Sequence, residues 1–257
     1  MVGRTNINPS DITSFRSLFG LSGNAPQIVL NGVDPGDLGG DEEAEAVLDA
    51  SWAGAVAPES AIKLVISKST NTTDGVDLSE EYIINNNLAD VMTESFGDCE
   101  ANYTSAQAIF YSNLAAQAAL QGITYLVATG DSGAAGCDSP DGKTSTGPIS
   151  VNVLASNPYV VAVGGIQLNE NGNYGAYWAA SNGTQRNSAL SYIPEVVWNE
   201  ICSVAQCGGS NAALWAGGGG ASSYFPKPSW QTGVNGIPGD GARDVPDVSL
   251  SAAGHDA

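Results

Sequence analysis

Short apolar runs alternate with helix-patterned segments through the first half of this chain, and that alternation restricts the fold more than any other feature. Val2 closes a strand. Asn8 followed by Pro9 supplies an N-cap and a proline at the first helical position, predicting a short helix over residues 10–19. QIVLNGV (27–33) reads as a strand, and residues 41–53 as an alanine-rich helix closing at Gly54 and Pro58. AIKLVIS (61–67) is a buried-type strand, 79–89 a helix, 90–97 a strand and 104–122 a long helix. ITYLVAT (123–129) is a further apolar run, and PYVVAVGG (158–165) another. Strands that alternate with helices form a parallel sheet covered by helices on both faces, because each parallel connection must cross over. Residues 166–235 are rich in Gly, Asn, Ser, Trp and Tyr, the composition of turns and hairpins. No linker and no internal repeat divides residues 1–257, so one domain is expected.

Charge narrows the partners. The chain has 27 Asp+Glu against 8 Lys+Arg, a formal net charge of −19. Nucleic acid and anionic membranes are repelled by such a surface. No apolar run approaches the roughly 18 residues a bilayer span needs. Self-repulsion at neutral pH fades near pH 4, which points to an acidic working environment, although plain solubility explains the charge equally well. Four cysteines, Cys99, Cys137, Cys202 and Cys207, allow three pairings. None has CxxC spacing and one histidine is present, which argues against zinc. Few lysines, an even cysteine count and sequons at Asn71, Asn102 and Asn182 predict a secreted, extracellular protein.

Sites in parallel α/β sheets gather at the carboxyl ends of strands. Two such ends are conspicuous, SFGD (95–98) and ATGDSGAAG (128–136). Asp131 in the second can donate a hydrogen bond if protonated; as an ordinary strand-to-helix turn it would instead be an N-cap. A Ser-His-Asp triad needs a histidine base. The sole candidate, His255, lacks suitable surroundings, and no G-x-S-x-G elbow occurs. Carboxylates can take the role of imidazole. GGDEEAEAVLDASWAG (39–54) places Asp41, Glu45 and Asp49 on one helical face. If that face turns inward, Glu45 and Asp49 share protons and one carboxyl is raised. Glu45 then serves as a base in acid, where imidazole is already protonated. If the face turns outward, it is a solvated acidic surface, and the local sequence does not choose.

The pattern E-A-x-L-D at Glu45–Asp49 resembles the catalytic helix of the sedolisins, the serine-carboxyl peptidases. ADVMTESFG, ATGDSGA, SNPYVVAVGG, GGGGASSYFPKPSWQ and RDVPDVSLSA are similar to later blocks of that family, in the same order. The resemblance covers nearly the whole chain. It implies a subtilisin-like three-layer α/β fold with a mostly parallel central sheet. It also implies a peptidase acting on peptides or proteins at acidic pH, as an endopeptidase or a tripeptidyl-peptidase. A serine would be the nucleophile, Glu45 its general base and acid, Asp49 the support of Glu45, and Asp131 the protonated oxyanion donor. Asp41 is expected to cap the helix. The family's nucleophile lies in an S-G-T-S-like motif beyond the PDVS block, and its calcium loop further on. The expectation is therefore an incomplete catalytic domain with its C-terminal part truncated, inactive alone, holding no cofactor or metal of its own. Calcium belongs to the full-length domain. A prosegment in the precursor and a monomeric state are expected. A Cys99–Cys137 bridge would pin two loops of the site, with Cys202–Cys207 closing a small loop. The alternative function is a non-catalytic sedolisin-like protein that binds peptides.

Overall fold

The computed structural model describes residues 1–21, 25–207 and 212–254. His255 lies outside the described residues. The chain gathers into two compact units: Met1–Ser95 with Tyr174–Tyr192, and Phe96–Asn173 with the chain from Ile193 onward.

In the first unit, β1 (Val2–Gly3), β2 (Gln27–Asn31) and β3 (Lys63–Ser67) form a parallel sheet in the order β1-β3-β2. The central strand is buried at Leu64, Val65 and Ile66, as its continuous apolar run requires. Helix α1 (Pro9–Phe19) starts as its sequence dictates: the Asn8 side chain accepts from the Ser10 N–H, Pro9 enters the first turn and Gly20 ends the helix at φ 63°. Helix α2 (Gly40–Val56) and helix α3 (Gly75–Asn85) follow β2 and β3, and β4 (Val91–Glu94) comes next. Ile7, Ile12, Ala46, Ala50, Leu64 and Ile66 form a core where α1 and α2 cover the sheet. Arg4 ties two helix starts together, pairing with Glu42 and Asp74 at 2.6 Å each.

Asp41 is not the cap of α2. Gly39 occupies the cap position with no side-chain hydrogen bond, and Asp41 lies within the first turn. Gly39 and Gly40 both take left-handed φ, 67° and 58°, so the chain turns into the helix on glycine backbone rather than on a capping carboxylate. The acids of that first turn still face the positive end of the helix dipole.

The second unit carries α4 (Ser105–Leu120), started by a capping box between Thr104 and Gln107. β5 (Thr124–Ala128) and β6 (Val161–Leu168) pair in parallel. β7 (Glu195–Val197) joins β6 antiparallel; β8 (Gly220–Pro226) and β9 (Ala242–Val245) form an antiparallel pair; β10 (Val248–Ser251) lies parallel to β6 on its other side. Small buried residues on α4, Ala108, Ala115 and Ala118, allow close approach to the layer holding Tyr125 and Val127. Arg243 is fully buried, pairing with Asp247 at 2.5 Å and lying 4.7 Å over the Trp230 ring. Between β5 and β6 the chain runs through turns without a helix. Two disulfides join Cys99 to Cys137 and Cys202 to Cys207, with Cα separations of 5.0 and 5.9 Å.

Candidate active site

Helix α2 answers the question its carboxylates raise. Ala46, Ala50 and Gly54 mark its buried stripe, and Val47 packs against the same core. Leu48 and Trp52, on the opposite side, are 50% and 58% exposed. Asp41 is exposed, whereas Glu45 and Asp49 are half-buried at the border of the stripe. The acidic face is thus neither fully solvated nor fully inward. It turns progressively into the protein from Asp41 to Asp49, because 3.6 residues per turn rotate each fourth residue by about 40°.

Asp49 reaches a partner from another element. Its Oδ1 accepts a 2.8 Å hydrogen bond from Ser95 Oγ, at the end of β4. Burial pushes the Asp49 carboxyl above the ordinary aspartate range, and the Ser95 hydrogen bond partly opposes that rise. Arg16 of α1 donates to the Gly54 carbonyl in the last turn of α2. This supplies the positive charge that the helix's own last turn lacks.

In the second unit, Asp131 follows β5 after Thr129 and Gly130. No helix begins there, so it is not an N-cap. A glycine run holds its backbone instead. The Asp131 carbonyl accepts from Ala216 N–H at 2.8 Å, and the Gly130 carbonyl from Gly218 N–H at 2.7 Å. Thr129 Oγ1 donates to the Gly218 carbonyl at 2.8 Å. A Cβ on Gly218 would overlap the Thr129 carbonyl, which is why the opposing segment is glycine. The Asp131 side chain is exposed, yet the surrounding walls desolvate its carboxyl enough to push it upward.

Sedolisin from Pseudomonas sp. (strain 101) is 32% identical to this chain over 98% of the chain and 40% of the relative. Kumamolisin from Bacillus sp. (strain MN-32) is also 32% identical, over 94% of the chain and 40% of the relative. The solved structure of Pseudomonas sedolisin, a serine-carboxyl proteinase complexed with two molecules of pseudo-iodotyrostatin, matches with a TM-score of 0.70 and 31% identity. It covers 98% of this chain and 65% of that one. The chain belongs to the sedolisin family. Its fold is the subtilisin-like α/β fold of that family. Human tripeptidyl-peptidase 1 is 33% identical over 56% of the chain and 19% of its own length. The chain spans about two-fifths of the length of sedolisin and kumamolisin. No protein-family model matches it.

In this sedolisin-family chain, the structure brings Glu45 and Asp49 onto one border of α2, and it sets Asp131 in the glycine-clasped turn after β5. Three supporting residues are not singled out by sequence. Ser95 holds Asp49; its signal was its place at the SFGD strand end. Asn152 donates to the Ala128 carbonyl at 2.9 Å, bracing the strand end before Asp131. Glu100 is buried and accepts from Ser156 Oγ at 2.7 Å, from Ser223 N–H at 2.6 Å and from Ser222 Oγ. Neither Asn152 nor Glu100 stands in a pattern that announces it. Among the described residues, no cluster of three or more His, Cys, Asp or Glu is placed to hold a metal ion, and no helix is long and apolar enough to cross a membrane.

Proposed function

We propose that this chain supplies the base, its supporting acid and the oxyanion donor of a serine-carboxyl peptidase that hydrolyses peptide bonds in acid. The observation that carries the proposal is the half-buried Asp49, bonded to Ser95 one helical turn from Glu45, within a sedolisin-family chain. Glu45 takes the proton of a serine hydroxyl as it attacks the peptide carbonyl and returns it to the leaving amine. Asp49 orients Glu45 and shares a proton with it. Asp131, neutral in acid, donates to the oxyanion of the tetrahedral intermediate. Both raised carboxyls suit that setting, since each keeps its proton to higher pH than a free aspartate. The rate therefore falls at low pH, where Glu45 is protonated, and at higher pH, where Asp131 ionises.

No serine of this chain stands in the family's nucleophile motif. The 257-residue chain assayed alone is expected to show no turnover of peptides at pH 3–5. In a longer form carrying the nucleophile segment, Glu45→Gln is expected to lower kcat by about 10²–10⁴-fold with the fold retained. Turnover by the isolated chain, or full activity of Glu45→Gln, would overturn the proposal; no turnover by the longer form would favour a peptide-binding protein. A secreted protein with a prosegment, a monomeric state and calcium held by a C-terminal loop belong to the same proposal for the longer form.

A further inference from the structure

A carboxylate that takes part in proton sharing has two oxygens to place. In Asp49, Oδ1 is occupied by the Ser95 hydroxyl at 2.8 Å. That donor comes from the end of β4, 46 residues along the chain, so it fixes the carboxylate from outside the helix. The strand immediately before it is anchored, with Met92 and Glu94 buried. Ser95 itself is half-buried, a setting in which its hydroxyl can be replaced without opening a core cavity.

We infer that Ser95 is a positioning residue of the acid pair: its hydroxyl pins Oδ1 of Asp49, leaving Oδ2 to exchange a proton with Glu45. The inference rests on the function proposed above. A donor to the charged form also keeps Asp49 ionisable despite its burial. Glu45 lies one turn away on the same helix, and the charged group that bears on Asp49 from outside it is the Met1 amino group, just before β1; that amino group also faces Glu94 of β4. None of these replaces the hydroxyl as a fixed neutral donor.

The test follows the carboxyl carbon of Asp49 by NMR titration in the 257-residue chain. In Ser95→Ala the midpoint should rise by about one pH unit, the size expected for one lost charge-assisted hydrogen bond at a half-buried group. Ser95→Cys, nearly isosteric but a poor donor, should behave alike, and Ser95→Thr should restore the original midpoint. Circular dichroism reports that each variant is folded, and Ser95→Cys stands in if Ser95→Ala is not. A midpoint that stays or falls in the folded donor-less variant, or a threonine that fails to restore it, overturns the inference. So does covalent labelling of Ser95 by a fluorophosphonate, which would make it a nucleophile. In the longer, nucleophile-bearing form, Ser95→Ala should lower kcat about tenfold with KM unchanged and Ser95→Thr should recover it; an unchanged kcat also counts against it. Failure of the proposed function reads differently: Glu45→Gln would keep its activity whatever the Asp49 titration shows.

Discussion

In the proposed mechanism Asp131 would do with a carboxylic acid what a neutral amide does without titrating, and the difference is measurable. Its carboxyl donates only while protonated, and desolvation extends that state upward in pH. Asp131→Asn in the longer form would keep a donor at every pH. The expected result is a pH–rate profile whose alkaline limb moves upward, with less than about a tenfold loss at the optimum. Asp131→Ala, with no donor, should lose about 10²–10³-fold in kcat. An unmoved alkaline limb in the asparagine variant would assign that limb to another group. At this scale the sequence showed which acids stood at helical spacing and which lay at strand ends. It did not show that Ser95 meets Asp49, because a contact across 46 residues leaves no local pattern.

The elements differ in how locally they are specified. Helices α1 and α4 begin where the sequence predicts, because Asn8 and Thr104 cap them within two or three residues. Helix α3 begins earlier than its apolar pattern predicts, at Gly75 after the Asp74 cap. There a Cβ would overlap the Ser67 carbonyl, so the glycine serves a close approach rather than a helix break. The same logic gives a test at the clasp on Asp131. Gly218→Ala should destabilise the chain by about 1–3 kcal/mol in urea unfolding, since backbone must move to admit the methyl group. Gly175→Ala, with nothing within 4 Å of the added carbon, is the control and should be neutral or slightly stabilising. Equal effects at the two positions would remove the steric account of the glycine run.

For the whole molecule, charge and titration combine. Asp49 and Asp131 have raised folded values, so their contributions to stability are complete below about pH 4 and are lost as pH rises through those values. Asp138 and Asp240 have the opposite sign. Backbone N–H groups of Thr146 and Ala242 respectively hold them low, so their contributions exist above about pH 4 and fade as pH falls through the lowered values. A net charge of −19 adds repulsion that relaxes toward acid. The urea midpoint of the chain should therefore rise from pH 7 to about pH 4.5 and fall again below about pH 3. A midpoint highest at pH 7 would show that the low carboxyls outweigh the raised ones. The order of strands and helices, the cap at Asn8, the acidic charge and the four-residue spacing of Glu45 and Asp49 were settled by sequence alone. Each depends on residue type and period over a few neighbours. Which border of α2 turns inward, what holds Asp49 and why Gly218 must be glycine were decided only by tertiary structure. They depend on surfaces brought together from 46 and 89 residues apart, where burial and hydrogen bonding select one arrangement that local patterns leave open.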